Sequence, residues 1–284
     1  MRLRWDRIGL IITILLVVIV TAVWTAHARG GPPASTATRP PVRVATGPTP
    51  QAGSRPAPAG PSGCPAKATA VVRSAPAPVT GPAPTGRTVA LTFDDGPSRW
   101  TPAVLSVLRR EHVPATFFMI GKQVTARRRT VAAVAAAGNL IGNHTWSHQA
   151  PTAAAGWKPA GLTGELSLTI TALRAVTHQS TCWFRPPEGI LKGAVAVTRP
   201  HGISTALWSV DTEDWKVQHG VTSDPHGRLS RVIAVRAIEG GRQDHPVILM
   251  HDGGGYRGAS AAALPAIIAF YRAAGYTFVR LDGR

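Results

Sequence analysis

Asp94 and Asp95 stand side by side in ALTFDDG, and His144 and His148 lie four apart in NHTWSH. Further along come Arg185 in CWFRPPEG, Asp214 in ALWSVDTEDW and His251 in VILMHDGG. Two imidazoles and one carboxylate match the donor set of a catalytic zinc site, which uses three protein ligands and leaves a position for water. On a helical turn the His144/His148 spacing sets both rings on one face. A bound divalent ion acidifies water, and the second aspartate then stands ready as the base that takes its proton. Amide hydrolysis also needs a proton for the leaving nitrogen, which His251 can supply with Asp214 as its neighbour. Each cluster taken singly has an inert reading: DDGP is a common surface turn, and two histidines four apart can simply share an exposed helix face.

Each of these clusters directly follows a short apolar run of strand-like length. The pattern predicts strands over residues 88–93, 115–120, 183–184, 203–210, 247–250 and 276–281, with a short one near 140–141. Helices are predicted over 102–111, 124–137, 162–177 and 259–274, and near 191–198 and 229–239, the second of them ended by Gly138. Strands that alternate with helices form a parallel sheet whose strand ends collect on one face. The polar clusters are therefore expected to converge on a single site, in an α/β domain of about seven strand-helix units, one short of a full eightfold barrel.

That domain is expected over residues 87–284 of the 284-residue chain. Residues 29–86 are dominated by Pro, Ala, Gly, Ser and Thr and contain no acidic residue. Such a stretch buries too little apolar surface to offset its ordering entropy, so it reads as a disordered, extended linker. Residues 1–28 hold Arg2, Arg4 and Arg7 ahead of an apolar run from Ile8 to Ala26, expected to be helical. This is the pattern of a signal anchor or, with Ala26-His27-Ala28 as a small-x-small site, of a cleaved signal peptide. Either places the domain outside the cytoplasmic membrane.

The formal charge is +17, from 31 Lys and Arg against 14 Asp and Glu. The basic residues are scattered and form no aromatic-basic stripe, so an exported chain is expected to meet an anionic cell envelope, and no nucleic acid. In an oxidising compartment Cys64 and Cys182 can pair, or remain as two free thiols.

TFDDGPS, HTWSH, RPPEG, DTEDW and LMHDG, in this order, resemble the five motifs of the polysaccharide deacetylase family, the NodB-homology carbohydrate esterases, over Thr88 to Leu281. The resemblance implies a deformed (β/α) barrel that removes acetyl groups from N- or O-acetylated glycans with the help of a divalent ion. By the same resemblance Asp94 is the base, and Asp95, His144 and His148 are the ligands of zinc, cobalt or a similar cation. His251 is then the general acid, Asp214 the carboxylate that raises its pKa and Arg185 the residue that orients the base. Trp215 and Leu249 match the lining of an acetyl-methyl pocket, and the backbone N–H of residue 188 matches an oxyanion donor. Glu188 departs from the usual RPPYG and puts a carboxylate where an aromatic wall is expected. It is read as a substrate-binding group that bonds sugar hydroxyls or disfavours anionic substituents, with a tolerated rim change as the alternative.

The expected activity is hydrolysis of acetyl groups from N-acetylglucosamine units by a monomer. Peptidoglycan is the first substrate, chitooligosaccharide the second and an O-acetyl ester such as acetylxylan the third. Two competing classes are a catalytically silent glycan-binding module and a scaffold that binds anionic polymers by charge alone.

Overall fold

β1, Thr88–Gly96, is buried almost throughout and runs through the middle of the sheet. Its period of two decides which layer each residue serves. Val89, Leu91 and Phe93 pack into the cluster under the surrounding helices, whereas Ala90 belongs to a second cluster inside the curl. Thr92 and Asp94 continue that inner row upward. In this computed structural model the described residues are 64, 71–75, 86–239 and 243–284, all within one unit, Ala57–Arg284. The apolar run Ile8–Ala26 lies outside them, and no helix among the described residues is long and apolar enough to cross a membrane.

After β1 come α1 (Thr101–Arg110), β2 (Thr116–Met119), α2 (Gly121–Ala126), α3 (Arg128–Ala136) and β3 (Leu140–Asn143). Then follow α4 (Pro159–Thr177), β4 (Trp183–Phe184), a 3₁₀ turn at Pro187–Gly189, α5 (Ala194–Thr198) and β5 (Ser204–Thr205). β6 (Val210–Asp211), α6 (Asp214–Val217), α7 (Arg228–Glu239), β7 (Val247–His251), α8 (Gly258–Ala273) and β8 (Thr277–Phe278) complete the order. All named strand pairs are parallel, in the order β5-β4-β3-β2-β1-β7-β6, with β8 beside the start of β1. Among the described residues the sheet has eight strands and curls into the expected deformed (β/α) barrel.

Two elements differ from the periodicity. The helix predicted over 124–137 begins earlier and breaks at Arg127, whose φ of −134° leaves the helical region. The strand predicted over 203–210 divides in two: Ser204–Thr205 pair with β4, while Val210–Asp211 pair with β7. The apolar run there crosses from one edge of the sheet to the other, so no single neighbour serves its whole length.

The stretch read as linker contributes to the domain at two described places. Cys64 and Cys182 form a disulfide. Val72 bridges Ala206 in parallel, and Ser74 bridges Pro246 in antiparallel.

Candidate active site

Strand register sets the floor plan. Asp94 on β1 pairs with His251 on β7, and Asn143 on β3 pairs with Phe184 on β4, so His144 and Arg185 follow at matching heights. Asp94, Asp95, His144, His148 and His251 line one cavity of about 540 Å³, with Glu188, Trp208, Asp211, Trp215 and Leu249 around them.

The two aspartates diverge because the backbone turns between them. Asp95 takes a left-handed φ of 71°, and Gly96 precedes a cis peptide to Pro97. A Cβ at Gly96 would strike the Asp252 carboxylate, and one at Gly253 would strike the Asp95 carbonyl, so both positions require glycine. Asp252 is buried and accepts the Thr101 hydroxyl at 2.5 Å. Burial, with Asp95 and Asp94 nearby, pushes its carboxyl up to about 7 despite that bond.

His144 and His148 do not share a helical turn. They sit on an irregular loop after β3 in which Thr145 and His148 have φ of 64° and 60°. Side chains hold this loop: Asn143 Oδ1 accepts the Thr145 N–H, and Glu165 of α4 accepts the N–H groups of Trp146 and Ser147. The ring centroids lie 5.0 Å apart. His144 Nδ1 donates to the Arg185 carbonyl at 2.7 Å, which leaves its Nε2 as the lone-pair atom facing Asp95.

Asp95 Oδ1 lies 3.5 Å from His144 Nε2 and 3.2 Å from His148 Nε2. These three ligand atoms all lie within 4.8 Å of one another. Asp95 Oδ1 is buried with no hydrogen-bond partner, an arrangement costly for a carboxylate unless a cation meets it. Burial works against charge on His144, yet Asp94 and Asp95 raise its pKa, so the local field favours positive charge at this point. His148 is pushed down by burial and by His144. Burial opposes ionisation of Asp95, but the histidines around it hold it well below the usual carboxylate range. Asp95, His144 and His148 thus fit a divalent cation by donor type, spacing and field.

Asp94 Oδ1 accepts from Arg185 Nη1 at 2.8 Å, while its Oδ2 lies 3.7 Å from His144 Nε2. Arg185 is fully buried and also donates to Thr92 Oγ1 at 2.8 Å and the Leu207 carbonyl at 2.9 Å. Its guanidinium lies 4.3 Å from the centroid of the Phe118 ring. Burial lowers its pKa, and Asp94 opposes that shift.

On the other wall, His251 Nδ1 bonds Asp214 Oδ1 at 2.6 Å, and the His251 backbone N–H donates to Asp214 Oδ2 at 2.9 Å. Ser260 Oγ also donates to that oxygen at 2.5 Å. Burial would lower the imidazole, but Asp214 raises it to about 9. Burial would raise Asp214, and His251 holds it down. A protonated ring with Nδ1 committed to Asp214 presents its second N–H to the cavity.

Trp215 is 45 % exposed at the mouth, whereas Leu249 is buried. Glu188 is exposed and takes φ 56° beside Gly189. The structure therefore brings together every residue singled out above. The sequence reading missed Asp211 and Trp208 on the cavity wall, although Asp211 opens the DTEDW run and Trp208 lies three residues before it. It also missed Thr92, Glu165 and Ser260, which act through hydrogen bonds and carry no local signal.

Residues 81–206 match the family model described as polysaccharide deacetylase. The chain is 34 % identical over 198 residues to a peptidoglycan-N-acetylglucosamine deacetylase of Bacillus cereus, covering 68 % of this chain and 86 % of that one. It is 33 % identical over 205 residues to the peptidoglycan-N-acetylglucosamine deacetylase PgdA of Listeria monocytogenes. That match covers 70 % of this chain but only 39 % of the Listeria protein. Among solved structures, the Bc1960 peptidoglycan N-acetylglucosamine deacetylase superposes with a TM-score of 0.64 at 31 % identity, over 75 % of this chain and 92 % of that one.

Proposed function

Because this chain belongs to the polysaccharide deacetylase family, we propose that it hydrolyses acetyl groups from N-acetylglucosamine units of a cell-wall glycan, with peptidoglycan as the first substrate. The observation that carries this reading is the convergence of three pieces in one cavity: Asp95/His144/His148, the Asp94–Arg185 pair and the Asp214–His251 pair. Asp95, His144 and His148 would hold zinc or a similar divalent ion, which supplies Lewis acidity toward water and the acetyl carbonyl.

The remaining chemistry belongs to side chains. Arg185 fixes one oxygen of Asp94, so the other is free to accept a proton from the water that adds to the acetyl carbon. As the carbon–nitrogen bond breaks, His251 gives its outward proton to the leaving nitrogen, and acetate and a free amine result. Asp214 keeps that proton on the ring at neutral pH. Trp215 and Leu249 would flank the acetyl methyl, and their positions on the cavity wall support that assignment. The Cys64–Cys182 disulfide supports a location outside the cytoplasm, where such bonds persist.

The test is acetate release from peptidoglycan, chitooligosaccharides and acetylxylan. Release from the amide-linked glycans should stop with a chelator, return with zinc or cobalt, and fall by about 10²–10⁴ in Asp94→Asn, the range for losing a general base. No release from any of the three, or release that ignores the chelator, overturns the reading.

A further inference from the structure

We propose that Cys64 and residues 71–75, from the stretch that reads as linker, serve as a strap that positions Arg185 and, through it, Asp94. This rests on the activity proposed above.

β4 and β5 are two residues each and form one edge of the sheet. An edge strand leaves a row of backbone donors and acceptors unpaired, and two residues give little ladder to resist displacement. The strap meets that edge directly. Val72 donates its N–H to the Thr205 carbonyl at 2.8 Å and accepts the Leu207 N–H at 2.8 Å. Three residues on, the Ala75 N–H donates to the His245 carbonyl at 2.9 Å, just before β7. The strap thus spans the gap left where the chain between β5 and β6 changes partners. Below the site, Val72 and Ala75 pack in one apolar cluster with Ala90, Phe118 and Ala206.

Each grip leads to Arg185. Leu207, whose N–H is held by Val72, offers its carbonyl to Arg185 Nη2 at 2.9 Å. Phe118, over which the guanidinium lies, packs in the same cluster as Val72 and Ala75. Cys182, bonded to Cys64, is three residues before Arg185, and its carbonyl accepts the Ser204 N–H at 2.9 Å. Two of the three acceptors of the Arg185 side chain, Thr92 and Asp94, belong to the long β1. The third belongs to the edge that the strap braces. With Leu207 displaced, the fully buried guanidinium, whose Nε already has no partner, loses its Nη2 partner as well, and each further buried donor left unpaired is costly and favours reorientation. Asp94 then loses its fixed oxygen, and misplacement of about 1 Å at a reacting group can cost 10²-fold in rate.

The test is a double-substitution cycle in the full chain with deacetylation as the readout. Val72→Pro removes the N–H given to Thr205, and Arg185→Lys keeps a cation near Asp94 but loses the fork that reaches Leu207. Hydrogen exchange at the Leu207 amide reports whether the strap has detached. We expect Val72→Pro to speed that exchange and to lower kcat about tenfold with KM within about twofold. In the Arg185→Lys background the same change should alter kcat by less than about twofold, because residues acting in one chain of contacts are non-additive. Cys64→Ser, which leaves the backbone donors in place, should give a smaller loss of about threefold with the same non-additivity, and it carries the cycle if Val72→Pro does not fold. The proposal is overturned if Leu207 exchange rises while kcat holds, or if the strap substitutions lower kcat by equal factors in both backgrounds. Absence of deacetylation in the unsubstituted protein would instead sink the activity itself.

Discussion

β1 and β7 pair over five residues, the last pair setting Asp94 and His251 at one height, whereas β4 and β5 pair over two and yet β4 leads straight into a fully buried Arg185. At the centre, register alone sets where a side chain stands, and electrostatics then tunes it. At the edge, position comes from cross-links: a disulfide, two backbone bonds to Val72, and the carbonyl of Leu207. The two regions should therefore fail differently. The centre should answer to pH and the edge to reduction.

The largest effect belongs to the centre. His251 is raised from 6.5 to about 9, against its own burial, by Asp214. A histidine raised in the folded state contributes stability that is fully present below pH 6.5 and is lost as pH climbs through about 9. Asp214→Asn removes the main raising partner, so the alkaline limb of kcat should move to lower pH and the pH 6.5–9 stability loss should flatten. At pH 8 we expect kcat to fall by about a thousandfold, within the span for a general acid. A pH–rate profile that keeps its alkaline limb near 9 would remove Asp214 from this role.

The edge should show the next effect, in stability rather than titration. The Cys64–Cys182 bond closes a sequence separation of 118 residues, and removing a crosslink of this kind typically costs about 2–4 kcal/mol. Thermal unfolding of the Cys64→Ala/Cys182→Ala protein should give a Tm several degrees lower that no longer responds to reductant. The Asp214→Asn protein should keep the full response to reductant. Equal Tm values for the reduced and oxidised parent protein would mean that the edge does not lean on this bond.

The same contrast explains how much could be read beforehand. The central strands announce themselves as apolar runs, and each ends in a cluster with chemical meaning, so the parallel barrel and the gathering of Asp94, Asp95 and His251 follow from pattern. The edge carries no such signal. Val72 and Ala75 look like any residues of a Pro/Ala-rich stretch, and their contact with Ala206 and His245 depends on a long-range closure that local periodicity does not encode. The His144/His148 spacing points to a helical turn that the loop does not form, for a related reason. Spacing of four suits a helix, but here Glu165 on a distant helix captures the loop amides, and two left-handed residues re-aim the rings.

The smallest effect is expected on the rim between the two regions, at Glu188, which follows β4 and faces the central strands across the cavity. It already bears a left-handed φ of 56°, a cost that any residue except glycine shares. Glu188→Tyr therefore leaves the backbone penalty in place and changes only the side chain. Removing an exposed carboxylate should ease the approach of a glycan that carries its own carboxylate, and leave a neutral one nearly unaffected. Screened charges of this kind are worth about 0.2–1 kcal/mol, so the rate on a carboxylate-bearing glycan relative to neutral chitooligosaccharide should rise by about 1.4-fold to fivefold. Relative kcat/KM measured at low and at high salt separates the causes. A preference that moves with substitution but not with salt comes from ring contact, and one that moves with neither assigns Glu188 no part in choosing the substrate.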